Sequence, residues 1–478
     1  MAVNERIEQF LEKGILISPE LLNELEGIDI ERVKQKAAEF LVYSKEDHLK
    51  NKKNPVEIVF NYVEEPKKRT VKDFVSLFHK RFKGLESILK ARQELTGLTS
   101  ISRVLQKAPK ERVSIIGMVQ EKSETKNGNF ILTLEDFTGE IKVLLSKRNE
   151  DILEIAKDLM LDETIGITGV LGDGIVFADA VVFPDIPLTK ELKKCPEEIY
   201  MVCLGDPHVG SKEFLKESFK RFLLWINGRM GDETQRALAK KVKYVVVTGD
   251  IIEGVGIYPG QENDLEYETV EEQYSVFAEY IKNIPSHIQI ILFPGNHDVG
   301  RIAEPQPSLF SDFAQSVLDL PNVTSVSNPA IVNIAKTESF PGFDLLLYHG
   351  GSLIYYSDNL PSVRALGGQK RCDLVMKYLL QRRHLAPTHT STLYVPDAKM
   401  DPLLISRVPD FFITGHIHRI AVGSYRNVTL INASCWGDIT DDQIKRGLDP
   451  QPGRVPLINL QTREVKIMNF YVKNKKRE

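Results

Sequence analysis

The chain has 478 residues, of which 42% are hydrophobic and 27% are charged, and its formal net charge is −4. This length is enough for two or three domains that each bury a core. A slightly acidic chain is unlike proteins that bind nucleic acid over their whole surface, which are usually basic. Any contact with nucleic acid is therefore expected to be local or shared with a partner.

The cysteines and the apolar runs indicate the cellular compartment of the protein. Cys195, Cys203, Cys372 and Cys435 form no C-x-x-C pair, which argues against a cysteine zinc site and indicates reduced thiols in an intracellular protein. No apolar run approaches the roughly 18 residues of a membrane span, and the first residues lack a signal-peptide core. We therefore expect a cytoplasmic protein.

The N-terminal part of the chain is predicted to consist of small modules. Residues 1–42 are expected to form a small helical domain, in which the Ser18–Pro19 pair is a typical helix start. Residues 43–70 are charged and weakly periodic, which predicts a linker. Residues 71–108 follow as a basic helical connector.

Residues 109–190 are predicted to form an OB-fold β-barrel, because five strand-like segments with a helical insert after the third match that fold. OB folds often bind single strands through aromatic and basic side chains. The candidates for such contacts are Phe130, Phe137, Lys142, Lys147 and Arg148. The alternative, which their acidic neighbours favour, is that the phenylalanines belong to the core and the cations are solvated.

From 197 to 473 the chain alternates strand-like and helix-like segments, which is typical of an α/β (α+β) domain. Five polar motifs each follow a short apolar run, as residues at the end of a buried strand would. The motifs are DPH at 206–208, GD at 249–250, GNHD at 295–298, HG at 349–350 and GHIH at 415–418. Alone, each motif could be a turn or a hydrogen-bonded core histidine, but five in this order favour a shared site.

The five motifs are expected to meet, because open α/β sheets place ligand crevices at the carboxyl ends of their strands. The candidate site residues are Asp206, His208, Asp250, Asn296, His297, His349, His416 and His418. Carboxylate, amide and imidazole ligands suit manganese, iron, zinc or nickel rather than calcium or magnesium alone. Seven ligands would be enough for two ions if one carboxylate bridges them.

The motif set D-x-H, GD, GNHD, H and GHxH resembles that of the calcineurin-like metallophosphoesterase superfamily over residues 197–473. The resemblance implies two layered sheets around a dinuclear metal site. It implies one ion on Asp206, His208 and His418, the other on Asn296, His349 and His416, and a bridge through Asp250. It also implies that His297 is unliganded, faces the substrate phosphate and acts in catalysis.

The layout of helical domain, OB fold and phosphoesterase domain resembles the small subunits of archaeal family-D DNA polymerases, as do the flanking stretches LLQRRHLAPTHT and RNVTLINASCW. The resemblance implies a 3′–5′ exonuclease that proofreads during DNA replication. Related eukaryotic small subunits keep the folds but have lost metal ligands, whereas this sequence retains every one.

The same resemblance implies the cofactors and the partners. The cofactors are two divalent metal ions, Mn²⁺ before Mg²⁺, Zn²⁺, Fe²⁺ or Ni²⁺. The partners are the large catalytic subunit of the polymerase and DNA with single-stranded or mismatched 3′ ends, with no membrane. Two alternatives remain open: a free-standing repair nuclease of the same superfamily, and a non-catalytic scaffold subunit.

A cationic segment between the fourth and fifth motifs is a candidate for holding the DNA backbone near the metals. Its candidate residues are Arg364, Lys370, Arg371, Arg382 and Arg383. The alternative is a solvated helix face. Asp298, the last residue of the third motif, is expected either to orient a neighbouring group or to cap a turn.

Overall fold

The computed structural model describes residues 56–63, 67–397, 399–440, 443, 445 and 447–473, and two short strands before them. These strands, β1 (Leu16–Ile17) and β2 (Val42–Tyr43), pair in parallel. The predicted helical domain at 1–42 and most of the predicted linker otherwise lie outside the described residues. The chain divides into two units, Met1–Glu57 and Ile58–Glu478, and apart from Val56 and Glu57 the features below belong to the second.

The connector carries helix α1 (Val71–Lys90) and the short helix α2 (Ile101–Val104). The buried face of α1 holds Leu77, Arg81, Phe82, Leu85 and Leu89. Arg81 is only 1% exposed, and its Nε lies 2.7 Å from Oδ2 of Asp401. Because losing one partner of a buried ion pair typically costs about 3–5 kcal/mol, this pair fixes α1 to the C-terminal domain that contains Asp401.

Five strands close into a barrel in the order β4-β5-β6-β8-β7, which confirms the predicted OB fold. Its elements are β4 (Arg112–Glu124), β5 (Phe130–Asp136), β6 (Gly139–Leu145), α3 (Glu150–Asp158), β7 (Thr164–Leu171) and β8 (Ile175–Val182). Helix α3 follows the third barrel strand, where the sequence predicted it. Alternate side chains of the strands fill the interior, as in other small barrels.

The first six-stranded sheet has the order β12-β11-β10-β9-β18-β19. Its strands are β9 (Tyr200–Leu204), β10 (Val242–Val247), β11 (Gln289–Leu292), β12 (Val323–Ser325), β18 (Arg454–Asn459) and β19 (Val465–Asn469). Strands β9 to β12 pair in parallel, so their carboxyl ends meet at one edge. The residues of β9, β10 and β11 are almost all buried, so the centre of this sheet is covered on both faces, as parallel sheets usually are.

The second six-stranded sheet has the order β16-β17-β15-β14-β13-β3. Its strands are β3 (Val56–Asn61), β13 (Ala330–Ile334), β14 (Phe343–Leu347), β15 (Phe411–Thr414), β16 (Ala421–Tyr425) and β17 (Val428–Asn432). Strands β14, β15 and β17 run in parallel, so here too neighbouring carboxyl ends coincide. The two sheets form the predicted phosphoesterase sandwich.

Strand β3 corrects the prediction of a linker at 43–70. Val56–Asn61 is an edge strand of the second sheet rather than a connecting segment. Asn61 accepts a hydrogen bond from the Ser327 amide at 2.7 Å through its Oδ1. The partner lies 266 residues further along the chain, so the local sequence does not show with which segment this run pairs.

Helices cover the outer faces of the two sheets and build a core on each. Those on the first sheet are α4 (Lys216–Ile226), α5 (Glu233–Lys240), α6 (Val270–Ile281) and α7 (Ser311–Leu318). Those on the second are α8 (Leu353–Asn359), α9 (Pro361–Ala365) and α10 (Cys372–Arg382). Among the residues described, none of the helices is long and apolar enough to cross a membrane.

Candidate metal centre

Each sheet carries part of the site at the carboxyl ends of its parallel strands. Asp206, Asp250 and Asn296 follow β9, β10 and β11 of the first sheet. His349 and His416 follow β14 and β15 of the second sheet. The strand order therefore brings residues that are distant in the sequence into one place.

The first ligand group consists of Asp206, His208, Asp250 and His418, whose possible ligand atoms all lie within 4.8 Å of one another. Nε2 of His208 and Nε2 of His418 are 3.1 Å apart. Nε2 of His418 also lies 3.3 Å from Oδ2 of Asp206. Two imidazole nitrogens and a carboxylate therefore point at one common position.

The second ligand group consists of Asp250, Asn296, His349 and His416. Nε2 of His349 lies 3.0 Å from Oδ1 of Asn296, 3.2 Å from Nδ1 of His416 and 3.3 Å from Oδ2 of Asp250. Asp250 belongs to both groups. Its Oδ2 lies between His349 and His208, whose Nε2 is 3.7 Å away.

The backbone at the site adopts a conformation that side chains usually avoid. His208, Asp250, His416 and His418 have φ angles of 49°, 45°, 68° and 55°. Such left-handed positions cost about 1–3 kcal/mol each and concentrate at functional sites, where the surrounding structure holds them. Here the His416 amide donates to Oδ2 of Asp206 at 2.8 Å and the His208 amide to the Asp250 carbonyl at 2.9 Å.

Two glycines of the motifs are required by close approach between loops. A Cβ atom at Gly295 would collide with Oδ1 of Asp250, and one at Gly415 would collide with Oδ1 of Asp206. Each glycine thus lets one motif pack against the carboxylate of another. This explains why glycine precedes Asn296 in the third motif and His416 in the fifth.

The electrostatics of the site favour cations. Burial raises the pKa of Asp250, but the imidazoles of His349, His297 and His208 outweigh it, and its pKa lies well below the usual range. Burial lowers the pKa of His349, but the Asp250 carboxylate outweighs this and raises it to about 10. The carboxylate therefore stays ionised and needs positive charge beside it.

These residues fit a pair of divalent metal ions. Imidazole nitrogens and carboxylate or amide oxygens converge from two sides on a shared carboxylate, and this mixed set suits borderline divalent metals. By this geometry Asp206, His208 and His418 would hold one ion. Asn296, His349 and His416 would hold the other, with Asp250 between them.

His297 contacts members of the ligand groups through its amide and its ring. Its amide donates to Oδ1 of Asp250 at 2.8 Å, and its ring is perpendicular to that of His208 with 4.7 Å between centroids. Its Nδ1 lies 2.8 Å from the backbone carbonyl of Glu253, which makes Nδ1 the donor and leaves Nε2 free to face the cleft.

Glu253, which was not among the residues predicted from the sequence, lies three residues after Asp250 in the same loop. Its Oε2 lies 3.1 Å from Nδ1 of His208, and its Oε1 lies 4.0 Å from Nδ1 of His297. Partners of this kind orient the imidazoles of metal sites. An acidic residue close behind a ligand carboxylate was the available signal.

Asp298 ties two ligand loops together, which favours the first of its two readings. It is buried, and its Oδ2 accepts from the amides of Gly295 at 2.9 Å and Ile251 at 3.1 Å. Its Oδ1 accepts from the Tyr274 hydroxyl at 3.0 Å. Burial raises the pKa of Asp298 to about 6, a shift that the Asp250 charge reinforces.

The structure contradicts the assignment of Arg382 and Arg383 to the DNA backbone. Arg382 is 6% exposed, lies 3.1 Å from Oε2 of Glu163 through its Nε, and stacks on Tyr378. It thereby fastens the barrel to the phosphoesterase domain. Arg383 is 4% exposed and donates to the carbonyl of Ile405 at 2.8 Å.

The other cationic candidates lie at the surface. Lys370 is exposed and lines the cleft, and Arg364 is exposed on α9. Arg371 is partly exposed and paired with Asp373 at 2.8 Å. In the barrel, Phe137 is 52% exposed and Phe130 half-buried, while the candidate cations Lys142, Lys147 and Arg148 are exposed. Phe130 packs against the barrel core, as the alternative expected, whereas Phe137 lies at the surface.

The ligand groups open into a cleft with a volume of 1290 Å³. His208, His297, His416 and His418 form part of its lining. The loops after Asp206 and Asp250, helix α8, the turn before α10 and the segment after β17 also line it. The cleft is large enough to admit one end of a polymer to the ligand groups.

Each of the two domains matches a known protein family. The calcineurin-like phosphoesterase family matches residues 200–419, and the OB-fold nucleic acid binding domain family matches residues 113–174. The first match covers all five motifs, and the second lies within the barrel.

Relatives that match this chain over most of their length identify its family. A DNA polymerase II small subunit from Methanothermobacter thermautotrophicus is 34% identical, over 96% of this chain and 98% of that protein. The chain belongs to the family of archaeal DNA polymerase II small subunits. Two further members are those of Archaeoglobus fulgidus, 38% identical over 80% and 74% of the two chains, and Thermoplasma acidophilum, 32% identical over 97% and 92%.

Proposed function

We propose that this small subunit is a 3′–5′ exonuclease that hydrolyses DNA phosphodiester bonds at a dinuclear metal centre and proofreads for a large polymerase subunit. The observation that supports it most is the complete pair of ligand groups sharing Asp250. A scaffold without catalytic function would have no need for four ligand residues in left-handed conformations. The 3′–5′ polarity rests on the family resemblance.

Two divalent ions held here would make water a better nucleophile and stabilise the charge that builds on the phosphate oxygens. The protein residues supply the rest. Asp250 is shared by the two ligand groups and so fixes their relative position. Asp298 holds the loop that carries Asp250 by accepting from the Ile251 amide. The Glu253 carbonyl accepts from Nδ1–H of His297 and so orients the ring; when the ring is the imidazolium, Nε2 carries a second proton that it can donate to the leaving 3′-oxygen.

The proposal predicts faster cleavage at a frayed or mismatched 3′ end than at a paired one. A paired terminus must unstack before it reaches the ligand groups, which costs a few kcal/mol and least at a mismatch. A 5′-labelled primer on a template, with a matched or mismatched 3′ terminus and Mn²⁺, measures this. Equal rates on both termini would contradict proofreading, and shortening from the 5′ side would contradict the polarity. Chelation should stop cleavage, and added Mn²⁺ should restore it.

The proposal also predicts a stable complex with a large polymerase subunit. A net charge of −4 is poor for holding DNA alone, since Lys and Arg contacts to phosphate dominate affinity. Phe137 and Phe177 are two barrel side chains that are each about half exposed, and exposed aromatic side chains suit a protein contact. Deleting residues 1–42 should weaken the complex modestly, whereas substituting aspartate at both phenylalanines should abolish it.

Size-exclusion chromatography with light scattering, on chain purified from its native host, measures the complex. The variant with both aspartates must keep the thermal stability of the unaltered chain, so that loss of the complex reports on the surface. A lone monomer with full nuclease activity would favour the free-standing nuclease instead. A complex without nuclease activity would favour the scaffold.

A further inference from the structure

The walls of the cleft are acidic beyond the metal ligands. Among the described residues that line it, the carboxylates are those of Glu213, Glu253, Asp264, Asp358, Asp438 and Asp449. Among the same described residues, the lysine and arginine side chains that line the cleft are Lys370 and Arg419, and both pair with Asp449. The walls therefore offer little attraction to the phosphates of a DNA strand. A terminal nucleotide needs an uncharged contact as well as the metal centre.

Tyr258 provides an aromatic surface at this cleft. It lies in the loop that follows Asp250, lines the cleft, and is 39% exposed. Its hydroxyl donates to Oδ2 of Asp264 at 3.2 Å and lies 3.4 Å from Oε1 of Glu253. Glu253 in turn contacts His208 and His297. Tyr258 is therefore linked through Glu253 to two histidines of the site.

The loop that carries Tyr258 is held by a buried side chain. Gln261 is 1% exposed, and its Nε2 donates to the Glu253 carbonyl at 3.0 Å. Its Oε1 accepts from the Ile257 amide at 2.9 Å. Because both ends of the amide are bonded within the loop, the ring is presented in a defined place. Two partly exposed apolar side chains, Ile354 and Leu448, line the same cleft.

We propose that Tyr258 stacks on the base of the terminal nucleotide and so selects a nucleotide that has already left the duplex. The inference rests on the proposed exonuclease function and assigns its base-binding subsite. Aromatic stacking accepts every base, since each base has a π face, and it needs no positive charge. A base still stacked on its neighbour has no free face to offer to the ring.

The test compares single-stranded, 5′-labelled oligonucleotides that end in a 3′ thymidine or a 3′ abasic tetrahydrofuran residue. The readout is the ratio of kcat/KM for the two ends. Losing a stacking contact weakens nucleic-acid binding by about 5- to 100-fold, so the unaltered chain should prefer the thymidine end by a factor in that range. Tyr258→Ala should bring the ratio close to one, and Tyr258→Phe should keep it.

A matched control lies on the same segment. Tyr267→Ala removes a partly exposed tyrosine that does not line the cleft, and it should leave the ratio unchanged. Equal loss on both ends in Tyr258→Ala, or a Tyr258→Phe variant that behaves like Tyr258→Ala, would overturn stacking. Unaltered chain that cuts both ends equally would overturn the subsite alone. Unaltered chain that cuts neither would overturn the exonuclease function and the subsite with it.

Discussion

Replacing Asp250 by asparagine is expected to abolish phosphodiester hydrolysis while leaving the fold intact. Asp250 belongs to both ligand groups, and its Oδ2 is the atom that faces His349 and His208. An amide removes the negative charge that both ions need. It keeps an oxygen that can still accept the His297 amide hydrogen bond, now 2.8 Å long.

The experiment measures metal content by elemental analysis, thermal stability, and cleavage of a 5′-labelled single strand. Asp312→Asn is a matched control, because Asp312 is exposed in the first turn of α7, outside both ligand groups. The control should keep two ions and the original rate. An Asp250→Asn variant with two ions and the original rate would contradict the shared role of this carboxylate.

Replacing His297 by alanine is expected to slow cleavage by roughly 10²–10⁴ while the metal content is kept, which is the usual loss for an acid–base group. The reason is the position of the His297 side chain. Nδ1 of His297 is committed to the Glu253 carbonyl, and the side chain keeps 18% of its surface exposed on the cleft side. Metal loss in this variant would instead identify His297 as a ligand.

A substrate with a sulfur leaving group distinguishes the loss of proton donation from a general loss of activity. A bridging 3′-sulfur leaves without a proton, so the penalty of His297→Ala should shrink on a 3′-phosphorothiolate linkage. The matched control is His287→Ala, an exposed histidine outside the cleft, which should cleave both linkages at the original rates. The same penalty on both linkages would assign His297 to phosphate binding rather than to the leaving group.

The site was largely predictable because its ligands follow strands with a strong local pattern. β9, β10, β11, β14 and β15 are short runs of apolar residues, and the motif after each lies where a parallel strand ends. Parallel pairing then dictates that neighbouring motifs meet. The metal assignments themselves stay predictions that rest on this geometry and on the family resemblance.

Other features depend on partners that are distant in the sequence. Arg382 resembles an exposed helix cation until Glu163, 219 residues away, is placed beside it by the docked barrel. The place of Val56–Asn61 at the edge of the second sheet likewise depends on β13, although the apolar residues of this run are themselves a strand signal. Patterns of charge cannot reveal which cations a tertiary contact will bury.

The central claim is that one carboxylate joins two ion sites, and anomalous X-ray diffraction at the manganese edge from crystals soaked in Mn²⁺ tests it most directly. The account predicts two peaks about 3.5–4 Å apart, as in other two-metal hydrolases. One peak should be bound by Asp206, His208 and His418, the other by Asn296, His349 and His416, with Asp250 on both. A single peak, or two peaks of which Asp250 binds only one, would contradict the account.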